Sequence, residues 1–315
     1  MSSRVTSVPK VMRLLGLARK KGGSLQHSEW VWGYLFISIN LIGFLIFSLG
    51  PILASFVMMF MDWPLLKPPR FVAFENFERL FKDKLFVTSL VNTTYYVLVS
   101  VPLTTALAFF LAVLLNRPLR GRSFLRAAYF LPSMTLAVSA VMAWQWLLDP
   151  QGGVFNYMLR AVGLPTPEWL ADRRIAMPTL IMVSVWQNVG YYAVIYLAGL
   201  QTVPTELYEA AQIDGASPWQ RLLYITVPLV APTTFFVVVT NMIFSWQIFD
   251  LPYLLTGGGP ANSTRTLMLH MYGQAFTNLK MGYASLIAWV LFVIIFILTL
   301  LHWRFMSKRE FVIEL

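Results

Sequence analysis

The sequence predicts an all-α membrane protein of six transmembrane helices with both termini in the cytoplasm. Three observations predict it. Six stretches contain no Lys, Arg, Asp or Glu, and each exceeds the roughly 20 residues a helix needs to cross a bilayer. Hydrophobic residues make up 57% of the chain and charged residues 12%, too few charges to cover a soluble globule of this size. The basic residues are also divided unequally between the two sides that six crossings create.

The elements follow in order. Residues 1–30 carry Arg4, Lys10, Arg13, Arg19, Lys20 and Lys21 without an apolar core or a small-residue cleavage site, so they read as a cytoplasmic tail able to lie on a membrane surface, not a signal peptide. Residues 31–85 comprise the first span, 32–59, and an outward connection with bends at Pro64, Pro68 and Pro69. The core, 86–305, holds the charge-free stretches 90–115, 127–148, 175–200, 224–249 and 282–303, and 306–315 form a second cytoplasmic tail. In hydrocarbon, these backbones satisfy their polar groups only as helices. Pro51, Pro102, Pro132, Pro178, Pro228 and Pro232 fall within five of the six spans, where they permit bends.

Sorting Lys and Arg by loop puts 14 on the side of the termini and 10 on the other, for net charges of +8 and +2 out of +10. The tail and the cluster Arg117, Arg120, Arg122 and Arg126 dominate the asymmetry. Positive residues flank the cytoplasmic ends of spans, which explains the net charge without nucleic acid. The loop 202–223 then also lies in the cytoplasm.

That loop carries the most informative local pattern. Leu207, Ala210 and Ala211 share one helical face, with Glu206 and Glu209 near the helix start. After Asp214, Gly215 supplies a left-handed residue that stops the helix. Ser217 restarts it, with Pro218 at the first position and Gln220 placed for a capping box. The small alanines allow a neighbouring surface close, and Glu209 offers a carboxylate to a basic group on it. Glu209-Ala210-Ala211, three residues, Gly215, nine residues, then Ile225-Thr226-Val227-Pro228 resembles the signature loop of binding-protein-dependent ABC importer permeases, with Val227 in place of the usual leucine. In that family the loop is the coupling helix that docks on the ATP-binding subunit.

Other segments extend the resemblance over roughly residues 71–303. Phe74-Glu75-Asn76-Phe77 is similar to a Gly-Leu-x-Asn-Phe element, with Ala73 and Phe74 replacing Gly-Leu. Asn92-Thr93-Thr94, Gly121-Arg122 with Arg126 and Leu131-Pro132, and Met281-Gly282-Tyr283-Ala284-Ser285 also match. So does Gly257-Gly258-Gly259-Pro260 with Thr264 and Thr266, read physically as a tight outward turn using positive φ. Together they resemble the carbohydrate branch, of the maltose and glycerol-phosphate type. The resemblance implies a MetI-like type I architecture in a bacterial or archaeal cytoplasmic membrane and alternating access. It implies as partners a related second permease (a heterodimer being favoured), two ATPase subunits that use ATP and Mg, and an extracytoplasmic solute-binding protein.

Within the spans, Gln187, Asn188, Tyr191, Asn241, Trp246 and Gln247 would suit a neutral polyol path, since rings pack on sugar C–H faces and amides bond hydroxyls. Interhelical hydrogen bonding and interfacial anchoring are the competing explanation. No cation is buried at mid-membrane to hold an anion, although glycerol 3-phosphate stays open as an alternative solute. Phosphate-binding glycine loops, zinc-binding helices and nucleophile elbows are all missing, so no catalytic residue, metal or cofactor is assigned to the chain. Cysteine is absent, and His27, His270 and His302 read as interfacial polar residues. A secondary transporter, which would usually need ionisable groups in its spans, and a membrane scaffold are the remaining alternatives.

Overall fold

The computed structural model describes residues 22–117 and 121–310. The expectations for residues 1–21 of the basic tail, for Arg120 and for residues 311–315 lie outside the described residues. The chain divides into two compact units, residues 1–57 and 58–315.

In the first unit, α1 (Gly22–Phe44) passes through a π-helical turn at Leu45–Leu49 into α2 (Gly50–Met58). Pro51 has no N–H to give the carbonyl four residues back, and the wider turn sits immediately before it. Trp32–Met58 is long and apolar enough to cross a membrane.

The second unit opens with a two-stranded antiparallel ribbon, β1 (Met61–Asp62) against β2 (Arg70–Phe71). The buried Asn76 amide holds it, donating to the Met59 and Met61 carbonyls at 3.0 and 2.9 Å. Asn76 lies on α3 (Glu75–Lys82). Asp83 then caps α4 (Lys84–Asn116), its Oδ1 accepting from the Leu85 and Phe86 N–H groups at 2.8 and 3.2 Å.

Stretch 127–148 is broken. α5 (Arg122–Met134) and α6 (Ala137–Leu147) meet at 100°. Pro132 closes the last turn of α5, and Thr135 and Leu136 are extended, so the helical ladder stops between them. The short α7 (Val154–Ala161) precedes α8 (Ala176–Leu200). After α9 (Thr205–Ile213), the fifth stretch is likewise bent, by 67°, between Pro218–Leu229, which holds α10 (Pro218–Arg221) and the one-turn α11 (Val227–Leu229), and α12 (Ala231–Trp246). A π turn at Leu222–Thr226 again falls just before a proline, Pro228. α13 (Leu267–Tyr272) and α14 (Met281–Glu310) complete the described residues. Among the described residues, four helices suffice individually to span a membrane, and the two bent pairs raise that to six.

α4 and α8 pack along their lengths to form the core. One apolar cluster includes Tyr96, Leu180, Val183, Tyr283 and Ile287, and a second includes Ala108, Ala112, Tyr196, Val230 and Val237. Lipid tails supply no hydrophobic drive between helices, so close backbone approach carries the packing. Gly190 on α8 shows this most clearly: a Cβ there would run into the Tyr129 carbonyl of α5.

Candidate functional site

The loop expected to meet a soluble partner forms a compact knuckle of two helices, α9 (Thr205–Ile213) and α10 (Pro218–Arg221). Gly215 has φ +78, and the turn it makes lets the Ala216 N–H reach the Ala211 carbonyl at 2.8 Å and the Gly215 N–H reach the Gln212 carbonyl at 3.1 Å. The carbonyls that the end of α9 would leave orphaned are thereby used. Ser217 and Gln220 form the reciprocal capping box, at 3.3 and 2.7 Å, with Pro218 at the first helical position.

Two side-chain links fasten the knuckle. Tyr208 Oη and Thr226 Oγ1 lie 2.9 Å apart, and Arg221 Nη1 donates to Gln212 Oε1 at 3.3 Å. Glu206, Glu209, Ala210, Asp214, Gly215, Ser217 and Pro218 are exposed, while Ala211 is half-buried. No ion pair involves Glu206, Glu209 or Asp214 among the described residues. Exposed Leu207 and Ile213 stand beside these carboxylates. The knuckle is therefore a stiff surface with free negative charge and apolar contact area.

The expected solute-path residues separate into two groups. Tyr191 lies on the exposed stripe of α8 that continues through Val194 and Ala198; Gln187 and Asn188 are half-buried, and Asn188 bonds back to the Ser184 carbonyl at 2.8 Å. Gln247 is exposed at the end of α12. Asn241 and Trp246 are buried. Asn241 Nδ2 points at the Val101 carbonyl of α4, 3.5 Å away, and its Oδ1 accepts from Ser245 at 3.3 Å, an interhelical tie. Trp246 packs into the larger apolar cluster.

At the other end of α4, the motifs read separately in the sequence converge. Gly257 and Gly258 have φ of +58 and +87, while Gly259 is not left-handed and precedes a cis Pro260. Thr264 Oγ1 donates to the Gly259 carbonyl at 2.7 Å, and Thr266 caps α13 while donating to the Ile248 carbonyl at 3.0 Å. Asn92 Nδ2 reaches the Asn262 and Arg265 carbonyls at 2.8 and 3.1 Å, and Thr93 Oγ1 accepts from the Leu267 N–H at 2.8 Å. Gly257 also lines a cleft of about 480 Å³ with Gln145 and Asp149.

His270 departs from the interfacial position expected for it. It is fully buried, with Nε2 3.1 Å from Asp83 Oδ2, and the Tyr283 hydroxyl donates to the same oxygen at 2.8 Å. Burial pushes the His270 imidazole below its ordinary value, Asp83 opposes that, and Arg265 adds to it. Burial pushes the Asp83 carboxyl up, but Tyr283, the Phe86 N–H, His270 and the Leu85 N–H together hold it below the usual carboxylate range. Histidine identity alone hid this network. The available signal was Asp83, a capping residue placed directly before a long apolar span.

A family model described as "Binding-protein-dependent transport system inner membrane component" matches residues 82–309. The probable ABC transporter permease protein YurN of Bacillus subtilis is 35% identical over 282 residues, covering 88% of this chain and 96% of its own. The probable starch degradation products transport system permease protein AmyD of Thermoanaerobacterium thermosulfurigenes is 30% identical over 295 residues, covering 92% and 98%. A chain of the bacterial alginate ABC transporter, solved in complex with alginate pentasaccharide-bound periplasmic protein, superposes with a TM-score of 0.81 at 23% identity over 92% of this chain and 98% of that one, which establishes the shared fold. The matched region takes in both the knuckle and the collar of threonines and glycines at the far end of α4, and the chain belongs to the family of binding-protein-dependent ABC importer permeases.

Proposed function

We propose that this permease passes a neutral sugar, oligosaccharide or related polyol by alternating access, and that its knuckle is the docking element for an ATPase subunit. The observation that carries the docking role is the pair of exposed, unpaired carboxylates, Glu206 and Glu209, on α9, the helix that leads into a turn locked by its own hydrogen bonds. A rigid turn transmits displacement where a flexible loop would absorb it. In this reading the six apolar segments are six crossings with both termini and the knuckle cytoplasmic. The chain pairs with a second, related permease in a bacterial or archaeal cytoplasmic membrane, two ATPase subunits bind ATP and Mg, and an extracytoplasmic protein delivers solute to the collar.

The sugar assignment is supported by the starch-product relative and by the neutral character of Gln187, Asn188, Tyr191 and Gln247, which offer amides and a ring but no charge. Asn241 and Trp246 would join that path only if the helices around them parted. In vesicles containing the complete transporter, Glu209→Ala should leave ATP hydrolysis running while uptake falls. Truncating one member of a buried charged contact costs on the order of 2–5 kcal/mol. Wild-type uptake by Glu209→Ala would remove the docking role. Uptake of glycerol 3-phosphate in preference to maltodextrins would remove the neutral-solute assignment.

A further inference from the structure

We propose that the cavity beside the knuckle binds an anionic phospholipid. It encloses about 520 Å³ between the last turns of α4, the end of α8 and the knuckle, a size typical of small-molecule sites. Arg117 and Arg221 both line it, and no Asp or Glu does. Among the described residues, neither guanidinium has a carboxylate within 4.0 Å. Arg221 spends one N–H on Gln212, which leaves donors of both arginines available. Guanidinium groups bind phosphate oxygens in a fixed fork, and two of them lining one cavity, from the end of α4 and from the knuckle, select for an anion.

The remaining wall says what the anion is attached to. Phe110 and Leu114 line the cavity and are 49% and 53% exposed, and above them on the same face of α4 lie Leu107 and Leu103, 44% and 43% exposed. The spacing of 103, 107, 110 and 114 is that of a single helical stripe. Its length is about 16 Å at 1.5 Å per residue, close to the roughly 15 Å that one leaflet contributes to the hydrocarbon core. An apolar stripe one leaflet long, ending at two unpaired arginines with Trp219 at the boundary, fits an acyl chain with its phosphate at Arg117 and Arg221. Basic pockets at the ends of membrane helices hold anionic headgroups in this way.

The test uses the purified transporter complex, delipidated and then supplied with phosphatidylglycerol or phosphatidylcholine of the same acyl chains, with bound lipid read by native mass spectrometry. Phosphatidylglycerol should be retained about tenfold over phosphatidylcholine, the preference should vanish in Arg117→Gln/Arg221→Gln, and it should survive in Arg117→Lys/Arg221→Lys, which separates charge from folding. Equal retention of the two lipids, or a preference unaltered by the glutamine pair, overturns the proposal. Displacement of the lipid by millimolar inorganic phosphate would assign the site to a free phosphate compound instead. Photocrosslinking from position 117 that captures an ATPase subunit rather than lipid would assign the cavity to the subunit interface. Retention is read without ATP or transported solute, so its failure leaves the import reading untouched, and the reverse holds too.

Discussion

Asp83 and His270, 187 positions apart in sequence, meet with their side chains 3.1 Å apart. The contact works because the two carboxylate oxygens bond in different directions. Oδ1 caps the first turn of α4, while Oδ2 accepts from Tyr283 and faces His270. One carboxylate thereby joins the starts of α4 and α14 to α13. The lowered His270 value makes the ring neutral near pH 7, with Nε2–H donating to Asp83. Nδ1 is buried and has no partner among the described residues.

Acid should loosen this joint. A base whose folded value is depressed binds fewer protons folded than unfolded, so stability rises with pH across that interval. The contribution is fully present above about 6.5, the unfolded imidazole value, and is lost as pH falls towards the lowered folded value. Asp83, also lowered, keeps its contribution above 3.8 and loses it only at more acidic pH. Thermal unfolding of the detergent-solubilised protein should therefore show a drop in Tm below pH 6.5 that His270→Gln flattens. Superimposable pH profiles for the two proteins would remove the histidine from the explanation.

Ala73 should be improved by becoming glycine. It has φ +47, a left-handed conformation that disfavours an L side chain by roughly 1–2 kcal/mol, and it occupies the glycine position of the related Gly-Leu-x-Asn-Phe element. The added chain freedom of glycine when unfolded offsets about 0.4–1 kcal/mol. Ala73→Gly should leave a net gain of roughly 0.5 kcal/mol, seen as a small rise in Tm. A fall would mean that the Ala73 methyl contributes packing larger than its backbone strain.

These residues also show what the sequence could and could not reveal. Apolar runs located the four helices and the two bent helix pairs that are long and apolar enough to cross a membrane, because crossing length and lack of charge are one-dimensional properties. The knuckle was legible down to its capping box, since Ser217, Pro218 and Gln220 act on neighbours within a few positions. The 100° break between α5 and α6 was not: Pro132 announces a bend, but its angle depends on what α8 allows around Gly190. Asn241 and His270 show the same limit, the first open between a solute path and an interhelical tie and the second expected at an interface but buried. A polar side chain in an apolar run looks alike whether it faces a solute or a helix 140 residues away.

The α5–α8 contact gives a sharp steric test. At Gly190 an added methyl meets backbone, the Tyr129 carbonyl and the Phe130 Cα, and backbone cannot rotate aside as a side chain can. Gly190→Ala should destabilise by on the order of 1–3 kcal/mol, with trypsin cleavage in the loop between α4 and α5 becoming faster in membranes. A variant with the wild-type cleavage rate and Tm would show that the two helices can separate freely.

The knuckle makes the opposite case, where space is available and only the backbone resists. No heavy atom lies within 4 Å of a Cβ built on Gly215, yet its φ is +78. Gly215→Ala should therefore cost about 1 kcal/mol, and Gly215→Asn less, because asparagine tolerates the left-handed region. Gly215→Pro cannot adopt that φ and also removes the N–H that bonds the Gln212 carbonyl. Vesicle uptake should rank glycine, asparagine, alanine, proline from highest to lowest, with ATP hydrolysis falling less than uptake in the last. Were proline to transport like glycine, the geometry of the turn would be irrelevant to coupling, and the stiffness of the knuckle would need another explanation.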